Sequence, residues 1–177
     1  MLSKIVLLVL IALMTVVPAT AHAQAGIQTG VHLNFTGATL SEPSLPNVYG
    51  STFGIYTQTT RFGLLGLGVD GRGFILSGDG GNETFMGGMI GPRIAIKPHA
   101  LPISPYAEVL VGMAHVEFGQ PSARTVHTGA AYQAIVGVDL NIVSHLDWRA
   151  VEFTYGQQQG TGLAYKALST GLVIRFP

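Results

Sequence analysis

The stretch from His115 to His127 gathers side chains that could do chemistry: His115, Glu117, Ser122 and His127. A nucleophile beside a base is the start of a hydrolytic site, with Ser122 attacking and His127 taking its proton. Such a serine usually needs a sharp turn to present it, and no G-x-S-x-G is present. His115 and His127 could instead share a metal, but two imidazoles lack the third ligand such a site needs. The stretch "GDGGNE" offers Asp79, Asn82 and Glu83 to calcium, without EF-hand spacing. Gly66, Gly68, Gly71 and Gly73 resemble a phosphate loop only in composition, because they lie within an extended segment. The sequence therefore assigns no catalytic residue, no cofactor site and no metal ligand.

A second set of polar residues is organised by phase. Asp70, Arg72, Arg93, Lys97, Glu108, Asp139, Glu152 and Arg175 fall between large apolar residues at period two. In a strand that period sends neighbours to opposite faces. The chain end "ALSTGLVIRFP" shows the pattern: Leu168, Thr170, Leu172, Ile174 and Phe176 share one face, and Ser169, Gly171, Val173 and Arg175 share the other. The eight charges comprise four acids and four bases. On a face closed off from water they would need one another, since an unpaired buried charge costs several kcal/mol or more.

The elements that would position these residues are eight alternating segments separated by turn signals. They run Gly26–Phe35, Val48–Gln58, Leu64–Leu76, Phe85–Lys97, Tyr106–Phe118, Ala130–Val143, Asp147–Gln159 and the chain end from Ala167. Pro92 lies inside the fourth and cannot donate a ladder hydrogen bond, so a bulge is expected there. Arg149 is out of phase with Glu152 by one position, which predicts a bulge near Ala150. The connections after the first, third and fifth segments read as long and polar, and those after the second and sixth as short.

The composition says where such segments could live. The first 25 residues hold Lys4, an apolar run from Ile5 to Val17, Pro18, and two small-residue sites ending at Ala23 and Ala25. This reads as a secretory signal peptide cleaved near Ala23 or Ala25, leaving one domain over residues 26–177. Of nine Lys and Arg, Lys4 goes with the leader, so eight face nine Asp and Glu and the net charge is −1. No basic patch marks a nucleic-acid partner. There is no cysteine, so disulfides cannot brace the exported domain. Charged residues make up 10% of the chain, against roughly 25% in soluble domains. An exported, sparingly charged chain without a spanning helix after its leader fits a membrane barrel, apolar outside and small or polar inside. On this reading the four glycines of the third segment relieve crowding within the barrel. Trp148, Tyr132, Tyr155, Phe153 and Phe176 suit interfacial aromatic girdles.

The mature chain resembles the outer-membrane β-barrel superfamily typified by the OmpA transmembrane domain and OmpX. The likeness rests on the leader, the eight alternating segments, "GPRIAI", "PYAEVLVG", "HLDWRAVEFTYG" and the end "STGLVIRF". The resemblance implies an all-β fold, an eight-stranded antiparallel up-and-down transmembrane barrel in the cell outer membrane. It also implies that Leu172, Ile174 and Phe176 form the C-terminal signal read by the barrel-assembly machinery, although Pro177 follows Phe176. The expected partners are outer-membrane lipid and that machinery, with no nucleic acid and a monomeric barrel. An even strand number returns both ends to the periplasm, so the long loops face outward. No cell-wall tether is expected after Pro177.

Four functions stay open on sequence. The first is a non-enzymatic membrane barrel with a structural or surface-interaction role through long outer loops. The second is a narrow channel for ions or small solutes. The third is a lipid-modifying enzyme using Ser122 and His127. The fourth is a soluble periplasmic lipocalin-like barrel.

Overall fold

A computed structural model describes residues 26–41, 47–62, 64–78, 83–98, 101–119, 125–160 and 162–176. The expected signal peptide lies outside these residues, as do Ser122, Asp79 and Asn82.

The strands are β1 (Ile27–Leu40), β2 (Val48–Phe62), β3 (Leu65–Gly78), β4 (Thr84–Ile96), β5 (Ile103–Phe118), β6 (Thr125–Val143), β7 (Leu146–Gln158) and β8 (Ala164–Phe176). Each pairs antiparallel with the next, and β1 pairs with β8, so the sheet closes in the order β1 to β8. Closure leaves no strand edge unpaired, the condition for a sheet to sit in hydrocarbon. One end of the barrel gathers the β1–β2, β3–β4, β5–β6 and β7–β8 connections and is here the loop end. The other, the turn end, holds the remaining connections, the start of β1 and the finish of β8.

The strands run further than alternation predicts, β1 to Leu40 and β6 from Thr125. The loop-end connections are therefore only five to seven residues long, which corrects the expectation of long outer loops. Their polar sequence is partly strand: on β1 the pattern reverses, with Ala38 and Leu40 buried inside and Thr39 outside, and on β6 residues 125–128 are exposed on both faces, so the apolar-outside signal is lost. In the β7–β8 connection, Gly160 and Gly162 adopt positive φ of 94° and 68°, which a side chain would disfavour.

Alternation holds around the wall. Phe35 (62%), Met113 (60%) and Leu168 (60%) are the most exposed of an outward apolar set that includes every strand. Water-soluble monomers rarely expose contiguous apolar surface larger than a few hundred Å². On β8 the belt runs from Leu168 to Phe176, about 26 Å along the strand and about 20 Å in height at a usual barrel tilt. Towards the loop end it gives way to a polar collar of Thr39, Ser77, Thr84, Glu117, Thr128 and Lys166.

Both expected bulges can be checked. At Ala150 the β6–β7 register slips, with Val138 opposite Val151 and Asp139 opposite Arg149. The extra residue returns Asp147 and Arg149 to the inner face with Glu152. At Pro92 there is no bulge. Val69 stays opposite Pro92, and β4 meets β5 in one register on both sides, Ile90 with Val111 and Arg93 with Glu108. The pairing to β5 skips Gly91 and Pro92. The missing donor is accommodated by that gap, without an extra residue. Gly71 and Gly73 also depart from expectation: they face outward with Val69 and Ile75, while Gly66 and Gly68 face inward.

Candidate functional site

The barrel interior is layered. At the loop end, large apolar residues from β1 to β5 and β8 converge, among them Leu40, Val48, Leu76, Val116 and Leu163, all buried. Three rings form the centre of this plug. Phe85 lies 4.9 Å from Phe74 and 4.9 Å from Tyr165, the second contact edge-on. Such packing fills the interior at this end with apolar side chains. Immediately beneath it is a cavity of about 20 Å³ beside Thr36, Thr52, Arg72 and Gln133, enough for about one water molecule.

Below the plug the charged residues form a closed ring of alternating sign. Arg72 Nη1 donates to Glu152 Oε1 at 3.0 Å, and Arg149 Nη1 donates to Glu152 Oε2 at 3.2 Å. Arg149 Nε donates to Asp139 Oδ1 at 2.9 Å, and Arg93 Nη2 to Asp139 Oδ2 at 3.2 Å. Arg93 and Arg72 both donate to Glu108, one to each oxygen, closing the circuit. Asp70 hangs from Arg72 at 2.7 Å and reaches His32 at 3.4 Å. Tyr106 fills the middle of the ring. Arg93 stacks at 3.9 Å and Arg149 at 4.7 Å from its centroid, and its hydroxyl donates to Glu152 at 2.6 Å.

The chemistry of this ring is cohesion. Each oxygen of Glu108, Asp139 and Glu152 already accepts from a guanidinium. The ring ties strands β3 to β7 across the interior. Buried pairs of this kind stabilise through their mutual geometry, and losing one partner costs about 3–5 kcal/mol.

The eight charged residues read from the sequence do not all meet. Asp70, Arg72, Arg93, Glu108, Asp139 and Glu152 are buried in this network. Lys97 and Arg175 lie apart at the turn end. Lys97 donates to Gln28, and Arg175 Nε sits 2.8 Å from Asp147. Arg149, which joins the ring, and Asp147, which pairs with Arg175, are the interior charges that sequence reasoning missed. Arg149 is fully buried, and the signal for it was the Ala150 bulge, which resets its phase.

At the loop end no hydrolytic or metal set assembles among the described residues. His115 faces outward, 2.7 Å from Thr128 Oγ1 and 3.1 Å from Glu117 Oε1. His127 is opposite Val116, one step along from the His115–Thr128 pair. Period two therefore puts His115 and His127 on opposite faces of the wall.

This is the closed eight-stranded barrel architecture of small outer-membrane proteins. Several solved structures share it with this chain. Ail, the attachment invasion locus protein of Yersinia pestis, superposes with a TM-score of 0.60 at 11% identity, over 85% of this chain and 99% of Ail. Neisserial surface protein A gives 0.56 at 16% identity, over 86% of this chain and 98% of that one. The N-terminal β-barrel domain of Pseudomonas aeruginosa OprF gives 0.52 at 10% identity, over 83% and 97%. No protein-family model matches the sequence, and no curated protein is significantly similar to it.

Proposed function

We propose that the chain is an integral outer-membrane barrel that neither catalyses a reaction nor conducts, and that acts through its wall and its loop-end surface. The observation that carries this reading is the doubly closed interior: an aromatic plug above a charge ring whose carboxylates are all engaged. A conducting barrel needs a continuous wet path, and a catalytic one needs a free acid, base or nucleophile. The apolar belt supplies the contact with lipid, Leu172, Ile174 and Phe176 supply the assembly signal, and the working unit is one chain. The short loop-end connections leave the collar and strand tips as the surface for contacts.

Fractionation of expressing cells, with gel electrophoresis of unboiled and boiled samples, tests the membrane half of the reading. The expected result is recovery with the outer membrane and a heat-dependent mobility shift. Recovery as a soluble periplasmic protein overturns it. Planar-bilayer recording tests the closed interior, with no steady current expected. Stepwise conductance would establish the channel reading instead.

A further inference from the structure

Below the charge ring the interior opens. A space of about 470 Å³ at the turn end is lined by Lys97, Pro98, Leu101, Pro102, Ser104, Asn141 and Arg175. We propose that this vestibule binds small oxyanions of the phosphate class, gripped between Lys97 and Arg175. The inference goes beyond the proposed function and depends only on the folded barrel.

The two cations are the ones left out of the ring. Lys97 has only the neutral Gln28 carbonyl as a hydrogen-bond acceptor, and no carboxylate pairs with it among the described residues. Arg175 is half committed. Its Nε is 2.8 Å from Asp147 Oδ2, close enough for an ion pair, yet it lacks the alignment of a hydrogen bond. Its Nη2 lies at 3.5 Å from the Ser144 carbonyl, at the edge of hydrogen bonding. With Asp147 as the nearest acid, the wall carries one net positive charge. A guanidinium fork and an ammonium around one space suit a tetrahedral oxyanion, which a fork can grip with two parallel bonds. Ser104 adds a neutral hydroxyl donor, whereas the Asn141 amide already donates to Val143 and Asp147. The space is of the size of a small-ligand pocket, so it has room for an organic substituent against Pro98, Leu101 and Pro102.

Lys97 is also tuned. Burial, then the nearby Arg175 and Arg93, bring its ammonium down from 10.5 to about 8, against the opposing pull of Asp147 and Asp139. The groups facing it are thus Arg93 from β4, Asp139 from β6, Asp147 from β7 and Arg175 from β8, with Gln28 from β1. A bound anion would favour the charged ammonium, and oxyanion affinity should fall as pH rises through this value.

The test is calorimetric titration of the folded barrel, in an uncharged maltoside detergent, with inorganic phosphate and with acetate. Saturable phosphate binding, tighter than acetate, is expected. Arg175→Gln should weaken it about tenfold or more, as loss of a charge-assisted fork implies. Arg175→Lys should restore part of the loss, and Lys97→Gln should weaken binding and remove its fall with rising pH. Lys166→Gln, a substitution on the outer collar, should leave it unchanged. Each variant is first shown to be folded by its heat-dependent mobility. No saturable phosphate binding to the wild-type barrel overturns the proposal, and so does unchanged affinity in either Lys97→Gln or Arg175→Gln. Tighter acetate binding would overturn the phosphate-class assignment.

Discussion

Glu152 accepts from three donors: Arg72 on one oxygen, Arg149 and the Tyr106 hydroxyl on the other. Glu152→Gln keeps the shape and removes the charge, leaving two buried guanidinium groups short of a partner. The barrel should lose about 3–5 kcal/mol of stability, the usual consequence of breaking a buried pair on one side. Tyr106→Phe removes a donor to a charged acceptor and should cost about 1.5–3 kcal/mol. Urea unfolding in lipid vesicles, followed by the loss of the heat-modifiable band, measures both. If Glu152→Gln unfolds at the wild-type midpoint, the ring contributes no net stability. Which acid meets which arginine was not legible in the sequence, because partners such as Arg72 and Glu152 are 80 residues apart and depend on the shear of the closed sheet. Arg149 was legible only through the bulge expected near Ala150, where one inserted residue reverses the phase that alternation relies on.

Among the elements, glycine and aromatic residues face each other across neighbouring strands. Gly30 pairs with Tyr56, Gly137 with Tyr106 and Gly156 with Tyr165 on the inner face, and Gly37 pairs with Tyr49 on the outer. In each pair the ring lies over the glycine, where it covers exposed backbone and pins the register. A Cβ added at Gly137 would come within 2.5 Å of the Tyr106 ring, which must then move off Arg93, Arg149 and Glu152. Gly137→Ala should therefore destabilise the barrel by about 1–3 kcal/mol, as overpacking does. Gly88→Ala is the control, because a Cβ there meets nothing within 4 Å. Equal midpoints for the two variants would show that the ring-on-glycine contact tolerates a methyl group. These pairs also show the reach of a sequence reading. Alternation and turn signals locate each strand, since one face of every strand meets a different medium from the other. The ends of the strands escape it at the polar collar, and so did Pro92, where a gap in the pairing stands in for the bulge.

The whole molecule is polarised from end to end. Aromatic plug, charge ring and open vestibule succeed one another from the loop end to the turn end, inside an outer wall that passes from polar collar to apolar belt. That asymmetry only has a direction in a membrane if insertion has one. An exported chain with eight strands and a start at the turn end would leave that end in the periplasm and present the loop end outside. The chain has no cysteine, so single-cysteine variants report topology without background. Gln159 is exposed at the loop end and Ser144 is exposed in the β6–β7 turn. A membrane-impermeant maleimide should label Gln159→Cys on intact cells, and Ser144→Cys only after the outer membrane is permeabilised. The reverse pattern would place the aromatic plug on the periplasmic side and open the oxyanion vestibule to the exterior. Labelling of both variants on intact cells would mean that the population inserts in both orientations, which is incompatible with directed assembly through Leu172, Ile174 and Phe176.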